Sequence, residues 1–504
     1  MDHCELLDWA SRELKNAFLF EEDLIRLSRL LMAAGIGDFA HHCPDREVTG
    51  ITIDSRKVTP GNLFVGLPGR SYDGATFARD ALSRGACSAI ISDYHKDDLE
   101  AELEGLLVIE RLDRKVLADL VYAFYGDISE KIRLIGVTGT NGKTTITHMV
   151  AHVLNVLGSP SRVIGTLNGE LTTPESPELF SRIASAISDG ASNLAMEASS
   201  IAIDQGRINN LTFFVSVFTN LTPDHLDYHG DIESYFLAKT KLFQGGRSRF
   251  CVINRDTPYG LRLLLSGNIS GTSYSISDAT DLSLKMSEIT FTYCGRGFMV
   301  PLTGEHNLSN SLGAIEVLRL MGFGLGEISS ALSTFSGVPG RLELVSGDDP
   351  TRVFVDYAHS PDALEHVLSS LKNLLEDEGR LILVFGAGGN RDSIKRSLMG
   401  EVAGRYADMV VVTNDNPRNE DPKAIAMAIL AGLSDSKRDV PSVVIYDRRS
   451  AIEHAIMAAG DKDVVLIAGK GHERYQLIGP NRFEFIDGDV ARLVLNLKRQ
   501  ELIT

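Results

Sequence analysis

Apolar positions along this chain follow two rhythms, and their alternation predicts an α/β architecture. Short unbroken runs rich in Val, Ile and Leu read as strands buried on both faces, whereas apolar residues three or four apart read as helices. Strands are expected over 51–53, 63–67, 88–91, 106–109, 134–138, 194–196, 213–218, 353–356, 381–385, 409–412 and 464–467. Helical spacing appears around Leu24, Ile25, Leu27, Leu30 and Leu31, and again over 77–84, 115–125 and 231–243. Glycine and proline gather in the linker 336–341, which marks a domain boundary. The predicted organisation is a small N-terminal α/β domain over 1–112 with a helical extension over 1–45, a central domain over 113–338 with a mainly parallel sheet, and a C-terminal Rossmann-like α/β domain over 339–504.

Length and charge narrow the partners. At 504 residues the chain has room for roughly three domains of ~100–200 residues each. Its formal charge of −17 leaves no basic field for nucleic acid and disfavours an anionic membrane surface, so any phosphate must be held by local devices. Five scattered cysteines, none in C-x-x-C spacing, suit reduced thiols and argue against a zinc site. The opening Met1-Asp2-His3-Cys4-Glu5 is acidic where a signal peptide would be basic, and no run approaches the ~18 apolar residues of a membrane span. The expectation is a cytoplasmic monomer with no membrane insertion and no nucleic-acid partner.

One stretch carries the clearest chemistry. The strand pattern at Leu134 breaks into Thr138-Gly139-Thr140-Asn141-Gly142-Lys143-Thr144-Thr145 and then enters a helical pattern, the signature of a phosphate-cradling loop. Gly139 and Gly142 let backbone N–H groups approach phosphate oxygens, Lys143 can reach the β/γ-phosphates, and the Thr144 hydroxyl suits Mg²⁺. Val137 stands where the strict pattern has glycine, so the loop is a variant.

Other candidates lie at strand ends, where open α/β sheets gather ligands. Glu197 and His225 follow two such strands; a carboxylate and an imidazole there suit a divalent metal, or else cap helices. Lys239 lies among Tyr235, Phe236, Leu242 and Phe243, and periodicity alone reads it as a snorkelling lysine beside the solvated Lys241. His306 and Asn307 stand at a helix entry, to cap it or to touch a base. Asp54-Ser55-Arg56 is consistent with a simple turn cap. Arg391 and Arg418 in polar loops suit a carboxylate, and Asp415 and Glu473 an ammonium; together they suit a zwitterion such as an amino acid, with surface ion pairing as the competing reading.

These motifs, with Met196-Glu197-Ala198-Ser199-Ser200, Asn220-Leu221-Thr222-Pro223-Asp224-His225-Leu226-Asp227, Gly304-Glu305-His306-Asn307, Asp356-Tyr357-Ala358-His359 and Gly469-Lys470-Gly471-His472-Glu473, resemble the Mur ligases of peptidoglycan synthesis from about Val48 onward. The resemblance implies ATP-dependent amide formation through an acyl phosphate, with ATP, UDP-N-acetylmuramoyl-L-Ala-D-Glu and meso-diaminopimelate as substrates. It assigns Gly139 to Thr145, Asn307, Arg341, Asp356 and His359 to ATP. It assigns Thr144, Glu197, His225 and a carbamylated Lys239 to Mg²⁺, with Lys143, Glu197, His225 and Lys239 as the catalytic group. Ser55, Thr172, Thr173, Ser199, Gln205 and Arg207 match positions that contact the UDP substrate. Arg391, Asp415, Asn416, Pro417, Arg418, Gly469 and Glu473 match the diaminopimelate pocket, and the arginine of the 415–418 loop resembles the form that selects meso-diaminopimelate over lysine. One departure is Ile201, which stands where the family usually has His.

Overall fold

The computed structural model describes residues 25–38, 44–69, 73–92, 103–266, 269–347, 349–375, 378–436 and 438–503. Leu24, Cys4, Cys43 and most of the expected N-terminal extension lie outside them. What is described of that extension is a strand, Ile25–Arg26, followed by the helix Leu27–Ala33, with Leu27, Leu30 and Leu31 buried at helical spacing.

Three main sheets succeed one another along the chain. The first has four parallel strands in sequential order, Gly50–Thr52, Asn62–Gly66, Ser88–Ser92 and Leu106–Ile109. The second has six, all parallel, in the order Gly271–Tyr274, Ser248–Asn254, Phe213–Phe218, Arg133–Thr138, Asn193–Glu197 and Ser161–Ile164. The third orders Glu343–Leu344, Arg352–Asp356, Val464–Ala468, Leu381–Phe385, Met409–Val412 and Ser442–Val444, and only the edge strand Glu343–Leu344 runs antiparallel.

Side chains alternate along each buried strand and so fill two cores at once. In the second sheet Leu134, Leu194 and Met196 pack on one face, while Ile135, Val137, Ala195 and Val215 pack on the other. In the third, Leu381, Leu383 and Phe385 oppose Ile382 and Val384. The helix Lys143–Val156 buries Ile146, Met149, Val150, Val153 and Leu154 on the second face of its sheet. Each such side chain contributes about 1.5–3 kcal/mol of transfer free energy.

The strands Ser161–Ile164, Ser248–Asn254, Gly271–Tyr274 and Ser442–Val444 went unread in the sequence, as did two smaller antiparallel elements. One is a three-stranded antiparallel sheet over Thr280–Leu284, Ile289–Tyr293 and Arg296–Val300, with Ile289, Phe291 and Tyr293 buried in alternation. The other is a hairpin of Tyr475–Ile478 with Asn481–Glu484. Among the described residues no helix is long and apolar enough to cross a membrane.

Candidate functional site

Strand Arg133–Thr138 delivers the chain into a loop whose two glycine positions leave no room for a side chain. A Cβ on Gly139 would collide with Thr219, and one on Gly142 with Asn310; both glycines have positive φ, 150° and 87°. Gly142 then starts the helix Lys143–Val156 with no side-chain cap, leaving the first N–H groups and the positive end of the helix dipole facing the loop. Thr140 and Asn141 are fastened to the neighbouring strand end: Thr140 N–H donates to Asn220 O at 3.1 Å and Asn141 N–H to Asn220 Oδ1 at 2.9 Å. Lys143 folds back over the loop, its Nζ donating to Gly139 O at 2.9 Å and Thr140 O at 2.8 Å. Desolvation holds its pKa below the ordinary lysine value, against the pull of Glu197 and Asp224. Thr145 is buried one residue past Thr144.

Glu197 ends its strand directly beside that helix. Its Oε2 accepts from Thr144 Oγ1 at 3.0 Å, and its Oε1 accepts from Thr166 N–H at 2.8 Å. Two hard oxygen donors at this separation suit Mg²⁺, so the pair fits the ion that the phosphate loop implies. Among the described residues no three His, Cys, Asp or Glu side chains converge into a ready-made metal cluster. His225, in a left-handed backbone conformation (φ 54°), points Nε2 to within 3.5 Å of Asp224 Oδ2. Partial burial holds its imidazole below the usual range.

Lys239 corrects the snorkelling reading. The helix Ile232–Thr240, capped by Asp231, buries Tyr235, Phe236, Ala238, Lys239 and Thr240, leaving its lysine no route to solvent. Lys239 is 1% exposed; its Nζ donates to Gly139 O at 2.9 Å and lies 4.4 Å from the Tyr235 ring centroid. Burial first, and then Lys143, push its pKa well below the ordinary value. Lys241, as expected, is half exposed and pairs with Asp204 at 2.7 Å.

On the other side of Glu197 lies a hydroxyl-rich wall. Thr173 Oγ1 donates to Glu197 O at 2.7 Å and accepts from Ser199 N–H at 3.0 Å, Thr172 meets Thr166 at 3.1 Å, and Ser199 caps the short helix Ser200–Asp204. Arg207 donates to Thr173 O at 2.9 Å and Gln205 Oε1 at 2.7 Å, and shares Glu175 with Arg114. Ser55 is buried in the turn Ser55–Lys57, which Asp54 caps, as the turn reading expects; Lys57 reaches Glu178 at 3.6 Å and so ties the first domain to this wall. Ile201 is half-buried in the first turn of Ser200–Asp204, and the Ser200 hydroxyl before it meets His229 at 3.0 Å.

The third sheet contributes a second charged cluster. Asn416 Nδ2 donates to Glu473 Oε2 at 2.7 Å, and Lys470, fully buried, donates to that same oxygen at 2.9 Å and to Asn416 Oδ1 at 3.3 Å. Asp415 is buried against Gly469, and burial raises its pKa. Arg391 and Arg418 flank Gly388, Pro417 packs its carbonyl on Gly389, and the buried Arg396 grips Glu420 at 2.6 and 2.8 Å to brace the same loop. Beneath lies a fully buried pair, Arg448 with Asp487, at 2.7 Å through both oxygens. Lys470, Arg396, Arg448 and Asp487 were not singled out in the sequence. Lys470 carried a signal, since it sits inside the glycine-rich 469–473 motif; the others make contacts too distant in sequence for a local pattern to register.

Arg341 connects the two clusters. Its Nη2 donates to Thr144 Oγ1 at 3.3 Å, and its guanidinium lies 4.6 Å from the Tyr357 centroid; the Tyr357 ring in turn meets His472 at 4.8 Å and His359 at 4.6 Å. Asp356 fixes this turn by accepting from Leu342 N–H at 2.6 Å and Ala358 N–H at 2.7 Å. Asn307 and Asn310 are buried and bonded to each other at 3.0 Å, and Asn307 donates back to Thr303 O at 2.8 Å. The helix Glu305–Leu320 has no side-chain cap, so neither His306 nor Asn307 caps it. Beside its start lies a cavity of about 320 Å³ bordered by Asn254, Asp256, His306, Ser309 and His366.

Comparison with known proteins accords with this arrangement. Residues 47–125 match the Mur ligase family catalytic domain, 137–318 the Mur ligase middle domain and 340–471 the Mur ligase glutamate ligase domain. A protein of Synechococcus elongatus named UDP-N-acetylmuramoyl-L-alanyl-D-glutamate--2,6-diaminopimelate ligase is 42% identical over 90% of this chain and 95% of its own length. Its namesake in Gloeobacter violaceus is 41% identical over 94% and 99%. A solved structure of a ligase of that name superposes with a TM-score of 0.61 at 32% identity, covering 90% of this chain and 96% of the other. The chain belongs to the Mur ligase family.

Proposed function

We propose that this protein is an ATP-dependent ligase that adds meso-2,6-diaminopimelate to UDP-N-acetylmuramoyl-L-alanyl-D-glutamate in peptidoglycan precursor synthesis. The observation that carries the reading is the bridge from Thr144 through Arg341 and Tyr357 to His472, which joins a triphosphate site to a pocket of paired arginines and acids. Relatives of that name at 41–42% identity supply the substrate class.

The reaction then follows from ordinary phosphoryl-transfer chemistry. A carboxylate oxygen of the muramoyl dipeptide attacks the γ-phosphorus, the bond to the β-phosphate oxygen breaks, and ADP leaves from an acyl phosphate. The neutral amine of the amino acid attacks the acyl carbon, phosphate departs with that carboxylate oxygen, and the amine proton is released. No side-chain nucleophile is required. Lys143, with the free N–H groups of its helix, binds the phosphates and stabilises the charge that develops on them. Thr144 and Glu197 would hold Mg²⁺, which neutralises phosphate charge when bound.

Three assignments complete the reading. Lys239 is buried on the Gly139 carbonyl, where desolvation disfavours its ammonium form; as a carbamate it would offer oxygens beside the phosphate loop, with His225 nearby. The cavity at His306 and Asn254 is of purine size and lies at the start of the helix that carries Asn307, which suits the adenosine end of ATP. Arg391 and Arg418 suit carboxylates, and Asp415 and Glu473 an ammonium. Domain boundaries near residues 112 and 338 accord with the three successive sheets.

The test is phosphate release from ATP with UDP-N-acetylmuramoyl-L-Ala-D-Glu and each amino acid in turn. Release that requires both the muramoyl substrate and meso-diaminopimelate is expected. Faster release with lysine overturns the specificity, and release indifferent to the muramoyl substrate overturns the ligase reading.

A further inference from the structure

The hairpin Tyr475–Ile478 and Asn481–Glu484 has no part in the chemistry above, and its outer strand is exposed at every position. Its inner strand nevertheless grips the 414–418 loop at close range. Gln476, itself buried, donates through Nε2 to Asp415 O at 2.8 Å and Asn414 O at 3.3 Å. Leu477 N–H donates to Asn416 Oδ1 at 2.9 Å. Arg418 N–H donates to Leu477 O at 3.0 Å, and Gly479 N–H donates to Arg418 O at 2.7 Å, which makes Arg418 and Ile478 an isolated parallel bridge.

That bridge holds Arg418 in a conformation it would otherwise avoid. Its φ of 53° lies in the left-handed region, which side chains other than Asn and Asp adopt reluctantly unless their surroundings fix them. The same φ decides where the side chain leaves the backbone. The guanidinium then rests with Nη1 2.9 Å from Gly389 O, and among the described residues no carboxylate pairs with it.

We propose that Gln476, through this hairpin, is the positioning residue that sets amino-acid specificity. It locks the register of the 414–418 loop so that Arg418 is aimed at the distal carboxylate of a diamino dicarboxylic acid, which a diamino monocarboxylic acid lacks. The inference rests on the ligase reading. A built-in partner for a charged group rejects an analogue without that group strongly, because the partner is then left unpaired; a displaced partner loses this discrimination.

The experiment uses the full chain and measures kcat and KM for meso-diaminopimelate and for L-lysine, with ATP and the muramoyl dipeptide saturating, in the parent, Gln476→Glu and Gly479→Ala. The first variant keeps the shape but turns the donating amide into a carboxylate facing two carbonyls. The second leaves Gln476 intact and strains the hairpin turn, where Gly479 has φ 55°. In both, KM for meso-diaminopimelate is expected to rise roughly tenfold and the preference over lysine to fall by a similar factor, the loss of about one buried hydrogen bond. KM for ATP is expected to stay near its parental value in both. Parental KM and preference in both variants, or equal losses toward both amino acids and ATP, overturn the proposal. If Gln476→Glu fails to fold, Gly479→Ala alone decides. A parent that releases no phosphate with any amino acid strikes the ligase reading instead.

Discussion

Lys143 and Lys239 direct their amines at one atom, the carbonyl oxygen of Gly139, each at 2.9 Å. Two ammonium groups sharing a single acceptor repel one another, and desolvation disfavours both charges. Asp224 pulls on both, but Lys239, fully buried and with Tyr235 as its other neighbour, gives way further than Lys143, which also has Glu197 within electrostatic reach. In the proposed reading this asymmetry gives Lys143 to phosphate and Lys239 to reaction with CO₂.

Replacing Lys239 with Ala is therefore expected to lower ligation by about 10²–10³-fold, the usual cost of removing one preorganised electrostatic group. Phosphate release measures it. Intact-mass analysis in bicarbonate should find the parent heavier by one CO₂ and the variant unmodified; near-parental activity in the variant contradicts the assignment.

Arg341 makes both a hydrogen bond from its charged guanidinium to the Thr144 hydroxyl and a cation–π contact to Tyr357. Lysine keeps the charge but not the planar fork, so Arg341→Lys should lose about tenfold in kcat/KM for ATP. A steady-state titration of ATP checks this. An unchanged value would mean that the two half-sites are not joined through this residue.

His306 makes stability depend on acid. Burial, with His366 nearby, pushes its imidazole from the ordinary 6.5 to about 4. Below 6.5 the unfolded chain takes up a proton that the folded one refuses, so stability present above 6.5 is lost progressively toward pH 4, on the order of 1.4 kcal/mol per pH unit. Unfolding midpoints from pH 7 to 4 should fall less steeply in His306→Gln than in the parent, and identical slopes would refute the cause.

Arg448 and Asp487 form a pair with no exposure on either side chain. Asp487→Ala leaves a buried guanidinium uncompensated and should cost about 3–5 kcal/mol, whereas Arg448→Met with Asp487→Leu should recover much of that. Denaturant unfolding of the three chains decides it; a loss under about 1 kcal/mol in the single variant would mean the pair is replaceable by water.

The central parallel strands were legible because burial on both faces writes an unbroken apolar run, as in 381–385 and 213–218, whereas Ser161–Ile164, Ser248–Asn254, Gly271–Tyr274 and Ser442–Val444 are only partly buried and carry a shorter run or none. The phosphate loop was legible because its glycines are required by collisions with Thr219 and Asn310. Lys239 was misread because spacing reports which positions share a face, not what covers that face, and its helix is covered on most sides. Gln476, Arg448 and Arg396 were invisible for a related reason: their partners lie on other strands or helices, and only the fold brings them together. The antiparallel sheet over 280–300 did carry a period-two signal in Ile289, Phe291 and Tyr293 that went unread.

The central claim is that a carboxylate is activated at Lys143 and consumed at the pocket of Arg418 and Glu473. It is tested most directly by supplying UDP-N-acetylmuramoyl-L-Ala-D-Glu with heavy oxygen in the free carboxylates of its glutamate, together with ATP and meso-diaminopimelate. Mass analysis of the released phosphate should find one labelled oxygen for each amide bond formed; unlabelled phosphate released alongside the amide would contradict the account.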